Sequence, residues 1–140
     1  AVDAALDLID KNSLAYEAVE VGKKFVNQSA SNLHDHYGDM SPVHSLNNLA
    51  VVIWAFLSFQ DSFDEAIGET ICCGWDTDCT GATVGGLIGL DKGSIPESWT
   101  DPWQGRVNTA IAGVGELKLE DLVERTCKLV DQFSSESDMD

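Results

Sequence analysis

The chain has 140 residues, and its 24 Asp and Glu residues outnumber its 8 Lys and Arg residues, which gives a formal net charge of −16. This excess of negative charge argues against direct binding to the phosphate backbone of nucleic acids and to anionic membrane surfaces. With 44% hydrophobic and 23% charged residues, the composition is that of one globular domain with its own core.

Apolar spacing predicts that the chain begins with two helices. Between residues 6 and 25 the apolar side chains recur at the intervals of one helical face. The polar pair Asn12-Ser13 interrupts this pattern and marks the expected break between the helices.

A polar segment follows between residues 27 and 42, and its composition predicts a long exposed loop. It contains His34 and His36, whose imidazole nitrogens are potential ligands for a transition metal. In a solvated acidic loop, histidines are more often plain surface residues, and we expect that role here.

The apolar stretch over residues 46–57 predicts the central helix of the fold, buried on most of its sides. The longest apolar run, residues 49–59, is too short for a membrane-spanning helix, which needs about 20 residues. Ser62 and Glu65 then match a capping box and predict a helix that continues to about Cys73.

Glycines form a stripe on the next predicted helix. Gly81, Gly85 and Gly89 recur every four residues and therefore share one helical face. Because each interior glycine costs roughly 1 kcal/mol relative to alanine, we expect another backbone to pack closely against this stripe.

The C-terminal part of the chain is predicted in four segments. Residues 95–103 form a turn-rich connector, a short helix is expected over residues 107–112, and an amphipathic helix over residues 119–133. Residues 134–140 are polar and acidic and are predicted to be disordered. Since no stretch alternates in the manner of a strand, we predict an all-α fold with one helical domain over residues 1–133.

The four cysteines, Cys72, Cys73, Cys79 and Cys127, form no CxxC pair and have no histidine near them in sequence. This spacing argues against a zinc site, and adjacent cysteines do not suit a disulfide framework. We therefore expect free, mostly buried thiols in a reducing, cytoplasmic environment.

Asp76 and Asp78 place two carboxylates two positions apart at the start of a predicted helix. Carboxylate oxygens suit Mg²⁺, Mn²⁺ or Ca²⁺, and two close negative charges are costly without a cation between them. An alternative is that each carboxylate caps the helix that follows. An EF-hand is excluded, because the position that needs a bidentate glutamate is Leu87 here.

Three ordered sequence blocks resemble a known family. They are HSLNNLA over residues 44–50, GWDTDCTGATVG over residues 74–85 and IPESW over residues 95–99. In these blocks the chain is similar to the C-terminal half of the ADP-ribosylglycohydrolase family, which includes the nitrogenase-reductase-activating glycohydrolases and the J1 crystallins. The resemblance implies part of an all-α, orthogonal helix bundle.

The resemblance also implies a hydrolase with a binuclear Mg²⁺ or Mn²⁺ centre, which cleaves the glycosidic bond between ADP-ribose and a protein side chain or a small acceptor. It implies that Asp76 and Asp78 are metal ligands. We expect Thr80, one residue beyond the position of the family's Thr or Ser ligand, as a further oxygen ligand. We expect Asp76 to be catalytic as well, as the carboxylate that orients or deprotonates a water molecule.

Substrate binding is expected at three residues near these ligands. Trp75 could stack on the adenine or the ribose, although a tryptophan that packs against the core is the alternative. His44 and Asn48 stand at the entry of the central helix, where a capping role is equally open.

The sequence departs from the family pattern in two ways. Cys79 occupies a position where many active members carry a Thr or Ser ligand, and sulfur matches Mg²⁺ poorly. The family's N-terminal half holds the other side of the metals with a Gly-Asp motif and a Thr-Asp-Asp cluster, and we expect that half to be missing here. The first residue is not Met, so we expect a C-terminal fragment, or a chain that works with a second polypeptide.

Two other functions stay open at this point. One is a non-catalytic structural role like that of the crystallin relatives, in which Cys79 marks the decay of the metal site. The other is a helical interaction module whose acidic surface meets a basic partner.

Overall fold

The computed structural model describes the backbone of residues 1–137 and the side chains of residues 1–134. The chain divides into two compact units, Ala1–Ser94 and Ile95–Asp140. The single domain over residues 1–133 stays a prediction, because compact units within one structure do not measure independent folding.

Six helices form the first unit. They are α1 (Val2–Leu6), α2 (Leu14–Lys24), α3 (Ser31–Tyr37), α4 (Ser45–Ser58), α5 (Phe63–Cys73) and α6 (Thr77–Lys92). The break expected at Asn12-Ser13 is confirmed, since the Ser13 hydroxyl accepts a hydrogen bond from the Tyr16 amide and caps α2. Ser62 caps α5 in the same way, through the Glu65 amide.

Helix α4 is the centre of this unit, as its apolar pattern predicted. Eight of its residues are buried, and Ala50, Val51 and Ala55 have no exposed surface at all. It packs against α2, α5 and α6. The approach of α2 is very close at Gly22, where an added Cβ would lie 2.7 Å from the Ala50 carbonyl oxygen.

The prediction of a long loop over residues 27–42 is wrong in its middle, where α3 lies. Its Leu33 side chain has no exposed surface and belongs to the main core, with Ala30 and Tyr37 packed beside it. These three residues follow the helical intervals of three and four, so the polar residues between them are the outer face of a short amphipathic helix.

The glycine stripe on α6 faces α5, but it meets side chains and not another backbone. A Cβ at Gly81 would lie 2.9 Å from Ile71 Cδ1, and one at Gly85 would lie 3.2 Å from Ile67 Cδ1. The expected close packing is therefore confirmed at Gly81 and Gly85. The prediction that another backbone packs there is wrong, because the neighbouring atoms belong to side chains of α5. The glycines make room for branched side chains that fill the space between the two helices.

All four cysteines are free, but only Cys73 is buried. The prediction of mostly buried thiols is thus wrong for Cys72, Cys79 and Cys127. Consecutive residues of a helix point about 100° apart, so the face that buries Cys73 turns Cys72 toward solvent.

The second unit is built from short elements and one long helix. They are α7 (Glu97–Thr100), a 3₁₀ turn (Asp101–Trp103), β1 (Arg106–Asn108), β2 (Glu116–Lys118) and α8 (Leu119–Ser137). The strands pair antiparallel, with Val107 opposite Leu117. The prediction of a short helix over residues 107–112 is wrong, because residues 107–108 belong to β1 and residues 109–112 to the connection between the strands. Gly113 and Gly115 have the positive φ values that its turn requires.

Helix α8 confirms the predicted C-terminal helix and extends beyond it. The backbone is helical to Ser137, and residues 138–140 lie outside the described residues. The disorder predicted for residues 134–140 stays a prediction. None of the described helices combines the length and the apolarity that crossing a bilayer requires. The fold class is all-α, with one very small sheet.

Candidate metal centre

The two carboxylates predicted to bind metal stand where a sharp turn joins α5 to α6. We call residues 74–76 the acidic loop. Gly74 ends α5 with φ +82°, and Trp75 follows at φ +59°, a left-handed conformation that is rare for a bulky side chain. Asp76 then stands at the N-cap of α6. The turn gives the first amide groups of α6 and both carboxylates a common location.

Two side chains from other helices hold this loop. The Asn48 amide oxygen on α4 accepts a hydrogen bond from the Asp76 backbone amide at 3.3 Å. His34 Nε2 on α3 lies 2.7 Å from the Cys73 carbonyl oxygen, directly before the loop. The loop is therefore tied at both of its ends to elements that are distant in sequence.

The side chains that follow the loop converge on one point. A carboxylate oxygen of Asp76, one of Asp78 and the Cys79 sulfur all lie within 4.8 Å of one another. Asp76 is half-buried, while Asp78 and Cys79 are exposed. The Asp76 carboxylate makes no capping hydrogen bond to the amides of α6. The alternative that the Asp76 carboxylate caps α6 is therefore wrong.

The Cys79 thiol reports the negative potential of this cluster. A hydrogen bond to Asp76, and then the charges of Asp76 and Asp78, raise the pKa of the thiol above its ordinary value. Both carboxylates act in the same direction, because a thiolate beside them would be a third negative charge. A divalent cation is the kind of ligand that relieves such repulsion.

The acidic loop lies within a match to a known protein family. The family model described as ADP-ribosylglycohydrolase matches residues 1–137, nearly the whole chain. The chain belongs to the ADP-ribosylglycohydrolase family. Comparisons with curated proteins and with solved structures find no match. The resemblance identified from three sequence blocks and the all-α class are thereby confirmed.

The donors in the cluster fit the divalent cations implied by the ADP-ribosylglycohydrolase resemblance only in part. The oxygens of Asp76 and Asp78 suit Mg²⁺ or Mn²⁺, which prefer hard ligands. The sulfur of Cys79 is soft and suits Mg²⁺ poorly. Two carboxylates do not complete six-coordinate geometry, so a full centre needs further oxygen ligands beyond this pair.

Thr80, the third predicted ligand, is buried with 2% of its surface exposed. Its hydroxyl donates a hydrogen bond to the Asp76 carbonyl oxygen at 2.9 Å. In this geometry it stiffens the first turn of α6 beneath the carboxylates. Its role as a metal ligand stays a prediction.

The three predicted substrate-binding residues occupy different environments. Trp75 is half-buried, with its ring 4.2 Å from the His34 ring and 6.1 Å from the Tyr37 ring. His44 is exposed and caps α4, where its Nδ1 accepts from the Leu46 amide. Asn48 is buried, and its amide nitrogen donates to the carbonyl oxygens of Pro42 and His44. The capping alternative thus has direct support at His44, and the binding roles stay predictions.

Sequence reasoning missed the contribution of His34. It treated this residue as a surface histidine of a loop, whereas the imidazole contacts both the end of α5 and the ring of Trp75. The signal was present in the spacing of Ala30, Leu33 and Tyr37, which predicts a helix and thus a fixed direction for the residue after Leu33.

Proposed function

We propose that this chain supplies the C-terminal half of a site for metal-dependent hydrolysis of an ADP-ribosyl glycosidic bond, in protein-linked or small-molecule ADP-ribose. One observation carries the proposal: the carboxylates of Asp76 and Asp78 converge within 4.8 Å at the start of α6 in a chain of the ADP-ribosylglycohydrolase family. Two negative charges on a loop that hydrogen bonds to other helices hold in place favour a divalent cation between them.

The proposed cofactor is a binuclear Mg²⁺ or Mn²⁺ centre held by Asp76 and Asp78, with Thr80 beneath them. When bound, such a centre orients ribose hydroxyls and a water molecule and stabilises the charge that develops as the bond breaks. Asp76, half-buried and beside the Cys79 thiol, is the carboxylate proposed to orient that water or to take its proton. Asp78 is more exposed and is proposed to act as a ligand only.

The aromatic side chain next to these carboxylates is proposed to position the substrate. Trp75 lies directly before Asp76 and is half-buried, so a part of its ring surface is open to a nucleotide base or a ribose. His44 and Asn48 are proposed to contribute at the entry of α4, His44 with its exposed ring and Asn48 through the loop that it anchors.

The partner proposed for this half-site is the N-terminal half of the same fold. The resemblance implies that a Thr-Asp-Asp cluster there completes the metal ligands. Sequencing the gene upstream of the codon for Ala1 tests this point. An open reading frame that continues into such a cluster would support it, and an in-frame stop codon would require a separate polypeptide as donor. Cytoplasmic location is proposed with it, in keeping with four free thiols.

Calorimetric titration of the full-length protein with Mn²⁺ alone, and then with Mg²⁺, tests the metal proposal. Binding is expected in the wild type and is expected to be lost in Asp76→Ala and in Asp78→Ala, because each removes one of the two converging carboxylates. Asp7→Ala is the matched control, since Asp7 is an exposed carboxylate that follows α1. It removes the same charge and is expected to leave binding unchanged.

A non-catalytic structural role is the second candidate, and one observation favours it. Cys79 brings a soft sulfur into the cluster, where Mg²⁺ would prefer oxygen. The same titration separates the candidates. Absence of any Mn²⁺ or Mg²⁺ binding that depends on Asp76 or Asp78 would overturn the enzyme proposal and leave the structural role.

A further inference from the structure

The acidic loop has a backbone conformation that is intrinsically unfavourable at one residue. Gly74 and Trp75 both have positive φ, at +82° and +59°. Glycine takes this conformation freely, but for a residue such as tryptophan it costs of the order of 1–3 kcal/mol and persists only where surrounding contacts impose it. The contacts around Trp75 therefore stabilise the turn that places Asp76 at the N-cap of α6.

His34 makes two of these contacts at once. Its Nε2 lies 2.7 Å from the Cys73 carbonyl oxygen, a terminal acceptor of α5. Because a carbonyl oxygen only accepts, the bond requires a proton on Nε2. The centroid of the same ring lies 4.2 Å from the centroid of the Trp75 ring, and the two ring planes are tilted by 40°. The His34 imidazole thus binds the Cys73 carbonyl oxygen, directly before the loop, and packs against the Trp75 side chain.

The core fixes the position of the helix that carries His34. The residue before it, Leu33, is fully buried in the main core and fixes α3 against α4. The other end of the loop is held by Asn48 on α4, which binds the Asp76 amide. The two anchors come from different helices, 39 and 28 residues away from their partners in sequence.

We propose that His34 is a positioning residue for the Asp76 and Asp78 carboxylates. It acts through Cys73 and Trp75, by stabilising the left-handed turn that directs both carboxylates to one point. As far as metal binding is concerned, this inference rests on the proposed function. The control of the loop conformation does not need the metal.

His36 provides a matched control on the same helix. It lies two residues further along α3, is exposed like His34, and its ring meets Phe25 and Tyr37. His36→Ala therefore removes an imidazole from α3 without touching the hydrogen bond to Cys73 or the contact with the Trp75 ring. Two substitutions of His34 divide its contacts. His34→Gln keeps an amide donor, and His34→Phe keeps a ring without a donor.

The first measurement is fluorine NMR of the full chain labelled with fluorotryptophan, without metal. The chain has four tryptophans, and the resonance of Trp75 is assigned by its loss in Trp75→Phe. We expect His34→Ala to shift or broaden the Trp75 resonance and to leave that of the buried Trp54 in place. His36→Ala is expected to leave both resonances unchanged.

The second measurement is calorimetric titration of the full-length protein, with its N-terminal half present, with Mn²⁺. Loss of a side chain that does not touch the metal but orients its ligands typically weakens metal binding 10–100-fold. We expect His34→Ala to weaken Mn²⁺ binding by about tenfold or more, His34→Gln to recover most of the affinity, and His36→Ala to match the wild type. If His34→Ala does not fold, His34→Phe takes its place, with the same expected loss.

The outcomes separate this inference from the proposed function. An unmoved Trp75 resonance in the His34 variants overturns the positioning role, and so does a moved resonance with wild-type Mn²⁺ affinity. A wild-type full-length protein, with the N-terminal half present, that binds no Mn²⁺ overturns the proposed function instead. The His34→Phe spectrum then decides whether the hydrogen bond to Cys73 controls the loop, because this variant keeps an aromatic ring beside Trp75 and removes only the donor.

Discussion

Helices α4 and α8 are both rich in apolar residues, yet they end up in opposite surroundings. Eight residues of α4 are buried, and α2, α5 and α6 pack against it. On α8, within the second unit, Leu129 and Val130 are each more than half exposed. The comparison teaches that an apolar stripe establishes a helix and its inner face, whereas stability comes only from the neighbours that cover that face.

The largest expected effect comes from the same substitution in the two helices. Val51 has no exposed surface, and Val130 is 57% exposed. Val51→Ala is expected to lower the free energy of unfolding by about 2–3 kcal/mol, through lost burial and the cavity left behind. Val130→Ala is expected to leave it unchanged or to raise it by a few tenths of a kcal/mol, because alanine is the better helix former.

Urea unfolding followed by circular dichroism measures both changes. Equal losses of stability in the two variants would mean that α8 is covered as completely as α4, and the contrast between the helices would not hold. A loss confined to Val51→Ala would locate the stabilising core in the first unit.

The next effect tests how α4 is covered by α2. Gly22→Ala would place a Cβ 2.7 Å from the Ala50 carbonyl oxygen and 2.8 Å from Ile53 Cβ. These atoms cannot yield without moving a helix, so the variant is expected to lose about 1–3 kcal/mol of stability. Gly86→Ala on α6 is the control, because nothing lies within 4 Å of its added Cβ. It is expected to gain up to about 1 kcal/mol.

Thermal unfolding of the two glycine variants gives the answer as opposite shifts of the midpoint. A Gly22→Ala midpoint equal to or above the wild type would show that the α2–α4 contact can relax. The close approach at Gly22 would then not be a constraint on the core.

The smallest effect concerns two cysteines, one from each unit. Burial raises the pKa of the Cys73 thiol to about 11, while Cys127 on α8 is exposed. At pH 8 the raised pKa leaves Cys73 with far less thiolate, the reactive form, and its burial also blocks access. Cys73 is expected to react with a thiol reagent at least about tenfold more slowly than Cys127.

Mass spectrometry of samples alkylated for increasing times separates the two sites. Because the folded-state pKa is raised, protection of Cys73 should persist as the pH rises and fade only toward about pH 11. In urea both cysteines should react alike. Equal rates in the native protein would contradict the burial of Cys73.

Much of the first unit was predictable because its signals are local. Apolar periodicity predicted α2 and α4, with Asn12-Ser13 as the break before α2, and the capping box of Ser62 and Glu65 predicted α5. The cluster of Asp76 and Asp78 was also predictable, since two residues separated by one cannot move far apart along the chain. That the Asp76 carboxylate does not cap α6 was not predictable, because it depends on the conformation of the loop.

The errors came from segments whose local composition misrepresents their surroundings. In α3, polar residues outnumber the few that reach the core, so the composition resembled a loop although Leu33 is fully buried. In β1 and β2 the strands are only three residues long. So short a stretch cannot display an alternating pattern, and the hairpin depends on pairing between strands and on glycine turns.

By itself the sequence determined that the fold is all-α, that the chain belongs to the ADP-ribosylglycohydrolase family, and that two carboxylates meet at the start of α6. The tertiary structure decided which helices are covered, that His34 is part of the loop's support, and that Asn48 binds the Asp76 amide. The reason is one of range. Helix periodicity and caps act within about one turn, whereas these anchors join side chains to backbone groups that only packing brings together.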